Sequence, residues 1–174
     1  ISAMGQNYRT GGRDFSGFGI KKGVNPDGAT DTGKGKTQRI QFRLGEILLN
    51  YAEAAFYLNE KDESLNAINQ IRARVDLPAH TEIDEDKIRH ERKIELAFEA
   101  HRHWDLKRWR IAKEAISKTW TGVNYVLDYE TGKFLVEYKE NFRTTSFDEK
   151  HYYFPITPNR ISNNPALAPE NPGY

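Results

Sequence analysis

The chain has 174 residues, a length that fits one domain and allows a substantial buried core. It has no cysteine, which excludes a disulfide scaffold, a thiolate zinc site, an iron–sulfur centre and a cysteine nucleophile. The 26 Lys and Arg residues nearly balance the 25 Asp and Glu residues, so the net charge of +1 argues against binding of nucleic acid through bulk charge.

The sequence carries no signal for membrane insertion or targeting. No stretch approaches the roughly 18 consecutive apolar residues of a membrane-spanning helix. Residues 1–13 lack the charged start, apolar middle and cleavage site of a secretory signal. Taken as it stands, the chain is therefore expected to be soluble.

Composition divides the chain into three parts, which we interpret as segments of one domain. Residues 1–40 hold nine of the thirteen glycines and little apolar periodicity, which predicts an irregular, mostly extended segment. Residues 41–118 hold one proline and one glycine among many helix formers, and they are predicted to form a helical body. Residues 119–174 begin with strand signals and end in a tail with five of the seven prolines.

Two antiparallel helices are predicted at the start of the helical body. Residues 41–58 carry apolar side chains at spacings of three and four, and residues 62–75 carry a narrower stripe with the same period. Pro78 follows the second helix and prevents its continuation. Because the connector at residues 59–61 is short, the two helices are expected to pack side by side.

A third helix is predicted from about Thr81 to about Trp109, with a break near His101 as the alternative. Asp84 is placed to act as the carboxylate of a capping box at its start. The first turn is acidic and the last turns are basic, so both ends complement the helix dipole.

Charged residues recur along this third predicted helix at steps of three and four and form an ionic ladder. Side chains at these steps can bond to one another along one helix face. We interpret the ladder as a structural network that fixes the turn between helices, since the planar arginine group can bind carboxylates and carbonyl oxygens together. An ion or ligand site is the alternative. The ladder consists of Arg92, Glu95, Glu99, Arg102, Asp105 and Arg108.

A β-hairpin is predicted after the helical body. Residues 125–129 and 134–138 alternate in strand fashion on either side of residues 130–133, where Gly132 can adopt a positive φ. Residues 152–155 are predicted to be a short extended segment at a sheet edge.

No catalytic metal or cofactor is expected from the histidine pattern. His101 and His103 are two residues apart and point in different directions on a helix, so they cannot share a metal ion. His90 and the glutamate after it begin like a zincin motif, but Ile94 stands where the second histidine belongs.

Two further functional classes, nucleic-acid binding and glycoside hydrolysis, have some support in the residue pattern. Residues 101–113 combine basic side chains with Trp104 and Trp109, but we interpret both tryptophans as helix-packing residues and expect no nucleic-acid partner. Carboxylates are abundant, so a glycoside hydrolase stays open as an alternative. Carboxylates that pair with arginines in the ladder would be ionised and poor as general acids.

Four motifs resemble, in the right order, the C-terminal region of the SusD/RagB family. The stretch at residues 90–109 is the most recognisable of them, and residues 18–22 are more weakly similar to an aromatic-x-x-Lys segment before the first helix. The matching stretches are residues 43–55, residues 65–74 followed by 77–78, residues 90–109, and an ending at residues 154–158, 164–165 and 171–174.

The resemblance implies a surface lipoprotein of Bacteroidetes outer membranes that binds glycans, or sometimes peptides, and lies as a lid on a TonB-dependent, SusC-like channel. It implies neither enzymatic activity nor a cofactor. It also implies a mainly α fold of TPR-like antiparallel helix pairs, here with a peripheral β-hairpin and long irregular terminal segments. Family members are considerably longer, so the lipid anchor and most of the ligand-binding region are expected upstream of residue 1.

The two predicted helices at residues 41–58 and 62–75 fit one TPR-like pair. Asn59 lies at the turn position, where glycine is usual, and Ser64 lies at the small-residue position. The resemblance thereby assigns the chain to the scaffold part of such a protein.

The expected function is non-catalytic binding of a nutrient, an oligosaccharide in the first instance, at the outer-membrane surface. Such binding needs exposed aromatic rings that stack on sugar faces and polar groups that bond to hydroxyls. A helical-repeat adaptor that binds protein partners without glycan is the alternative. Four aromatic residues in predicted loops are candidates for ligand contact, with packing over the helices as their alternative role: Tyr8, Phe15, Phe18 and Trp120.

Overall fold

The computed structural model describes residues 20–23 and 40–174. The described residues fall into two compact units, divided between Trp104 and Asp105. No helix in these ranges combines the length and the apolar character needed to cross a membrane. Most of the predicted irregular segment at residues 1–40 lies outside the described residues, and the single-domain organisation stays a prediction.

The first unit is built on two packed helices and a third that packs against the first. Helix α1 is Leu44–Tyr57, helix α2 is Lys61–Arg74, and helix α3 is Glu85–Glu95. The first two helices are confirmed within a few residues of their predicted bounds. Apolar side chains at helical spacing face one another and form the core, which consists of Leu49, Ala52, Ala67, Ile68, Ile71, Ile83, Ile88 and Leu96.

A small residue allows α1 and α2 to approach closely. Ser64 is fully buried, and its hydroxyl donates a hydrogen bond to the backbone oxygen of Ala52 at 2.7 Å. A buried hydroxyl without a partner would cost free energy, so this bond makes serine acceptable in the core.

The turn after α1 uses a left-handed residue. Asn59 has φ of 64°, a conformation that favours glycine but that asparagine tolerates better than most residues. The N–H of Glu60 donates to the oxygen of Ala55 at 2.9 Å, and the N–H of Asn59 donates to the oxygen of Phe56 at 3.0 Å. These two bonds form a Schellman motif, which satisfies carbonyl groups at the helix end and reverses the chain.

The third helix is shorter than the sequence predicted. Asp84 is itself the residue that caps the helix, since its Oδ1 accepts from the N–H of Lys87 at 2.8 Å. Helix α3 ends at Glu95, and Phe98 and Ala100 in the following turn both have φ of 64°. The prediction of a continuous helix from about Thr81 to about Trp109 is therefore wrong, because left-handed residues cannot continue a right-handed helix. The alternative with a break near His101 is confirmed, since a new helix begins at Arg102. We call residues 96–100 the 96–100 turn.

Three short helices follow the 96–100 turn, and the first of them crosses the division between Trp104 and Asp105. Helix α4 is Arg102–Arg108, helix α5 is Ala112–Ile116, and helix α6 is Pro158–Asn163. Short 3-10 helices lie at Glu149–Tyr152 and Pro165–Leu167. The predicted extended segment at residues 152–155 was thus wrong at its start, where the chain is still helical. A small cluster of Leu106, Ala112 and Phe147 forms the buried centre of the second unit.

The predicted β-hairpin is confirmed and is longer than expected. Strand β1 is Lys118–Leu127 and strand β2 is Phe134–Thr145, and they pair antiparallel with Leu127 opposite Phe134. Gly132 in the connection has φ of 66°, as its position in the turn requires. Along β2 every side chain before Thr145 is exposed.

We expect the left-handed turn after α1 to be sensitive to the residue at position 59. Asn59→Gly should leave the free energy of unfolding unchanged or slightly higher, whereas Asn59→Val should lower it by about 1–2 kcal/mol because a branched side chain disfavours positive φ. Urea unfolding measures both values. Equal stability of the glycine and valine variants would contradict the left-handed conformation.

Candidate functional site

The central ionic contact of the first unit is made by Arg43, the residue before α1. Its Nε donates to Oε2 of Glu99 at 2.7 Å, and its Nη2 donates to Oε1 of the same carboxylate at 2.8 Å. Its Nη1 donates to Oε1 of Glu95 at 2.5 Å. The planar guanidinium thus binds two carboxylates at once, an arrangement that lysine cannot reproduce.

Arg43 and Lys22 also satisfy backbone oxygens at the C-terminal end of α3. Nη2 of Arg43 donates to the oxygen of Glu95 at 2.6 Å. Nζ of Lys22 donates to the oxygens of Glu95 and Ala97 at 2.7 and 2.9 Å, and it also contacts the carboxylate of Glu99. The last carbonyl groups of a helix lack partners within the helix and carry partial negative charge, so two cations there stabilise its end.

Helix α2 contributes a further cation, Arg74, which binds the carboxylate of Glu95. Nη2 of Arg74 donates to both carboxylate oxygens of Glu95, at 2.8 and 2.9 Å. Glu95 therefore connects α3 to α2 and to the residue that precedes α1. We call Lys22, Arg43, Arg74, Glu95 and Glu99 the Arg43 cluster.

The cluster is partly buried and keeps the carboxylate of Glu99 ionised. The side chain of Glu95 is 10% exposed and that of Glu99 is 23% exposed. Hydrogen bonds from Arg43 lower the pKa of Glu99 to about 2, helped by Lys22 and opposed by burial. The same bonds to Glu99 raise the pKa of Arg43 above its usual value, also against the effect of burial. The Arg43 and Glu99 pair is thus charged at neutral pH and does not act as a proton-transfer site.

The absence of a side chain at Gly45 makes room for the cluster. A Cβ atom at this second residue of α1 would lie 2.5 Å from Nη1 of Arg43 and 2.8 Å from Oε1 of Glu95. The end of an arginine side chain is usually flexible, but here it could move only by giving up its bonds to the carboxylates. Glycine is therefore required by the ion pair and not by the helix.

An open cavity lies beside the Arg43 cluster, within the first unit. Its volume is about 510 Å³, and it is lined by Phe42 and Phe98, two residues that are 77% and 75% exposed. Glu46 and His101 line it as well, and Nε2 of His101 lies 3.7 Å from Oε2 of Glu46. The cavity thus combines aromatic surface with polar groups, a mixture typical of sites for small polar ligands.

The described part of the chain offers no metal centre. No group of three or more histidine, aspartate or glutamate side chains there is arranged to hold a metal ion.

The predicted ladder is divided by the end of α3. Glu95 and Glu99 belong to the Arg43 cluster, where their three partners, Lys22, Arg43 and Arg74, all lie outside the predicted set. Arg92 is buried, and its Nη1 donates to Oδ1 of Asn50 in α1 at 2.7 Å. The six residues therefore do not share one helix face, because the 96–100 turn interrupts the helical spacing on which the prediction rested.

The other half of the ladder lies on α4. Arg102 is the first residue of that helix, and Nη2 of Arg108 donates to Oδ1 of Asp105 at 3.2 Å. This is a pair at a spacing of three along one helix, as the periodicity suggested. The structural role of the ladder as a whole stays a prediction.

Of the four predicted ligand-contact aromatics, Tyr8, Phe15 and Phe18 lie outside the described residues. The predicted loop position of Trp120 is wrong, because strand pairing begins earlier than the alternating pattern does: Trp120 lies on β1 and is 42% exposed. Nζ of Lys118 lies 4.2 Å from the centre of its ring, and its Nε1 donates to Oγ1 of Thr145 at 2.8 Å. One face of this ring is therefore occupied by a cation, which leaves it less suited to stacking on a sugar.

Sequence reasoning missed the residue at the centre of the site. Arg43 begins the stretch at residues 43–55 that resembles the family, but it lies outside the predicted ladder because helical spacing cannot report contacts between distant segments. One local feature of the sequence could have indicated the role of Arg43: it immediately precedes a predicted helix, and a glycine, Gly45, follows two residues later. Phe42 and Phe98 were missed for a related reason, since both fit an apolar pattern that predicts burial.

We expect Gly45→Ala to destabilise the protein, although alanine is normally the better helix residue by about 0.5–1 kcal/mol. The added methyl group would displace Arg43 from Glu95, and the free energy of unfolding should fall by about 1–3 kcal/mol. In an Arg43→Ala background the same substitution should cost less than in wild type, because only the contact with Oε1 of Glu95 then remains. Denaturant unfolding of the four proteins measures both effects, and a stabilising Gly45→Ala in the wild-type background would contradict this geometry.

The ion pairs of Glu99 should make the free energy of unfolding depend on pH in the acidic range. Since folding lowers the pKa of Glu99 from 4.5 to about 2, its contribution to stability is complete above pH 4.5 and declines as the pH falls toward 2. The difference in free energy of unfolding between wild type and Glu99→Gln should therefore shrink across that range. A difference that is constant from neutral pH to pH 2 would show that Glu99 is not held by Arg43.

Comparisons with known proteins agree with the family resemblance. The family model described as SusD family matches residues 2–174. SusD-like protein P2 of Formosa agariphila is 31% identical over 154 residues, which cover 79% of this chain and 26% of that protein. A SusD-like protein of Bacteroides ovatus is 30% identical over 113 residues, which cover 58% of this chain and 20% of that protein.

A solved structure has the same fold. The structure of BT4246 superposes with a TM-score of 0.65 at 27% identity and covers 82% of this chain and 24% of that one. The chain therefore spans about a quarter of the length of the relatives that it matches. The mainly helical architecture with an antiparallel hairpin is confirmed by this likeness. On the match over residues 2–174, the chain belongs to the SusD family.

Proposed function

We propose that this chain is the C-terminal scaffold of a protein that binds nutrients, in particular oligosaccharides, at the surface of the outer membrane. Membership of the SusD family carries the proposal. The proposed protein is attached to the membrane through a lipid anchor upstream of these residues and passes its ligand to a TonB-dependent, SusC-like channel. The helix pair and the Arg43 cluster supply a rigid support for the ligand-binding parts.

The proposed role is non-catalytic. A glycosidase acid must hold its proton near neutral pH, which requires a raised pKa. Glu99 has a pKa of about 2, and its carboxylate is engaged by Arg43 and Lys22. The state of this carboxylate supports binding rather than hydrolysis as the function.

One observation favours a second candidate, a helical-repeat adaptor for protein partners. Leu44, Ile47 and Tyr51 recur at spacings of three and four on α1, and they are 72%, 52% and 48% exposed. They lie on a different side of the helix from the buried Leu49 and Ala52. An apolar stripe of this kind is a typical docking face for another helix.

The test is performed on the gene product that contains these 174 residues. Isothermal titration with a panel of oligosaccharides should show reversible binding, and chromatography of the mixtures should show every sugar at its original length. Co-purification from outer membranes should recover a TonB-dependent channel.

Two results would overturn the proposal. Shortened sugars that disappear in Glu95→Gln or Glu99→Gln would contradict the non-catalytic role. Absence of glycan binding together with capture of a protein partner, abolished by Ile47→Glu on the exposed stripe, would establish the adaptor instead.

A further inference from the structure

We propose that the cavity lined by Phe42, Glu46, Phe98 and His101 is a subsite for an uncharged sugar ring. The inference rests on the proposed function and deepens it, since it assigns a ligand contact to this chain. The cavity of about 510 Å³ falls within the roughly 300–1,000 Å³ of small-molecule sites.

The aromatic surface of the cavity is available to a ligand. Phe42 and Phe98 are 77% and 75% exposed, although large apolar side chains gain stability only by leaving water. Their rings offer flat apolar faces of the kind that stack on the C–H face of a sugar.

Phe98 lines the cavity from a backbone conformation that costs free energy. Phe98 has φ of 64°, which is an outlier for a bulky residue, and its exposed ring recovers little of that cost through burial. The 96–100 turn is fixed by Lys22, which binds the oxygen of Ala97, and by Arg43, which binds Glu95 and Glu99. The Arg43 cluster therefore places the Phe98 ring at the cavity, where a ligand contact would offset the strain.

Glu46 supplies the hydrogen-bond acceptor that hydroxyl groups require. Its side chain is 14% exposed, and its partner among the described residues is His101, at 3.7 Å. That separation exceeds a hydrogen bond, so the carboxylate oxygens retain capacity to accept from two neighbouring hydroxyls of a sugar. Gln41 also lines the cavity and adds an amide that can donate and accept.

The charges around the cavity select against other ligand classes. Lys22 and Arg43 already bind Glu95, Glu99 and backbone oxygens, so they offer no unpaired positive charge to an anion. Glu46 would repel an acidic ligand, and an alkyl chain would leave its partly buried carboxylate without hydroxyl partners. An uncharged polyhydroxyl ring satisfies both the phenyl faces and the carboxylate.

The experiment titrates the 174-residue chain with cellotetraose, maltotetraose and xylotetraose, and with tetragalacturonic acid as the anionic comparison. At least one neutral sugar should bind, with weaker or no binding of the acid. Phe42→Ala, Phe98→Ala and Glu46→Gln should each weaken that binding roughly tenfold. Tyr138→Ala is the matched control, since Tyr138 is 73% exposed on β2, and it should bind as wild type does. Thermal unfolding checks that each variant is folded.

The outcomes separate this subsite from the proposed function. Equal affinity of wild type and the three cavity variants would overturn the subsite and leave the proposed function standing. Binding of neutral sugars by the longer gene product, but not by a 174-residue chain that shows a cooperative thermal unfolding transition, would also overturn the subsite and leave the proposed function standing. Preference for the acid would overturn an uncharged ligand, and no binding by either protein would overturn both proposals.

Discussion

The first unit depends on the guanidinium of Arg43. This one group binds the carboxylates of Glu95 and Glu99 and a backbone oxygen at the end of α3. It lies immediately before α1, so it fixes the start of one helix against the end of another. Removing one partner from such a group leaves partly buried charge without compensation, which is far more costly than losing an exposed ion pair.

The contacts of Arg43 separate the elements that the sequence predicts from those that it does not. Helices α1 and α2 follow from periodicity, because their buried faces repeat at local spacings that any reader of the sequence can count. The hairpin follows from alternation around Gly132. A break near His101 could be offered as an alternative, but the end of α3 at Glu95 does not follow from the sequence. Lys22 and Arg43, which are distant along the chain, bind backbone oxygens at this helix end and in the 96–100 turn.

The candidate site shows the same limit. Glu95 and Glu99 were identified from the sequence as members of an ionic network, whereas Arg43 could not be assigned to it by helical spacing. Phe98 is a large apolar residue, which the sequence pattern places in the core. Its left-handed φ and its high exposure show that it does not pack there. Local sequence patterns report what a helix buries, but they do not report where two segments meet.

The central claim is that Arg43 and Glu99 are coupled, and a double-mutant cycle tests it most directly. The free energies of unfolding of wild type, Arg43→Ala, Glu99→Ala and the double variant give the coupling energy without the separate effects of each truncation. Given the bidentate, partly buried geometry, the coupling should be about 1–3 kcal/mol. A coupling below about 0.3 kcal/mol would contradict the account, because the two side chains would then contribute to stability independently.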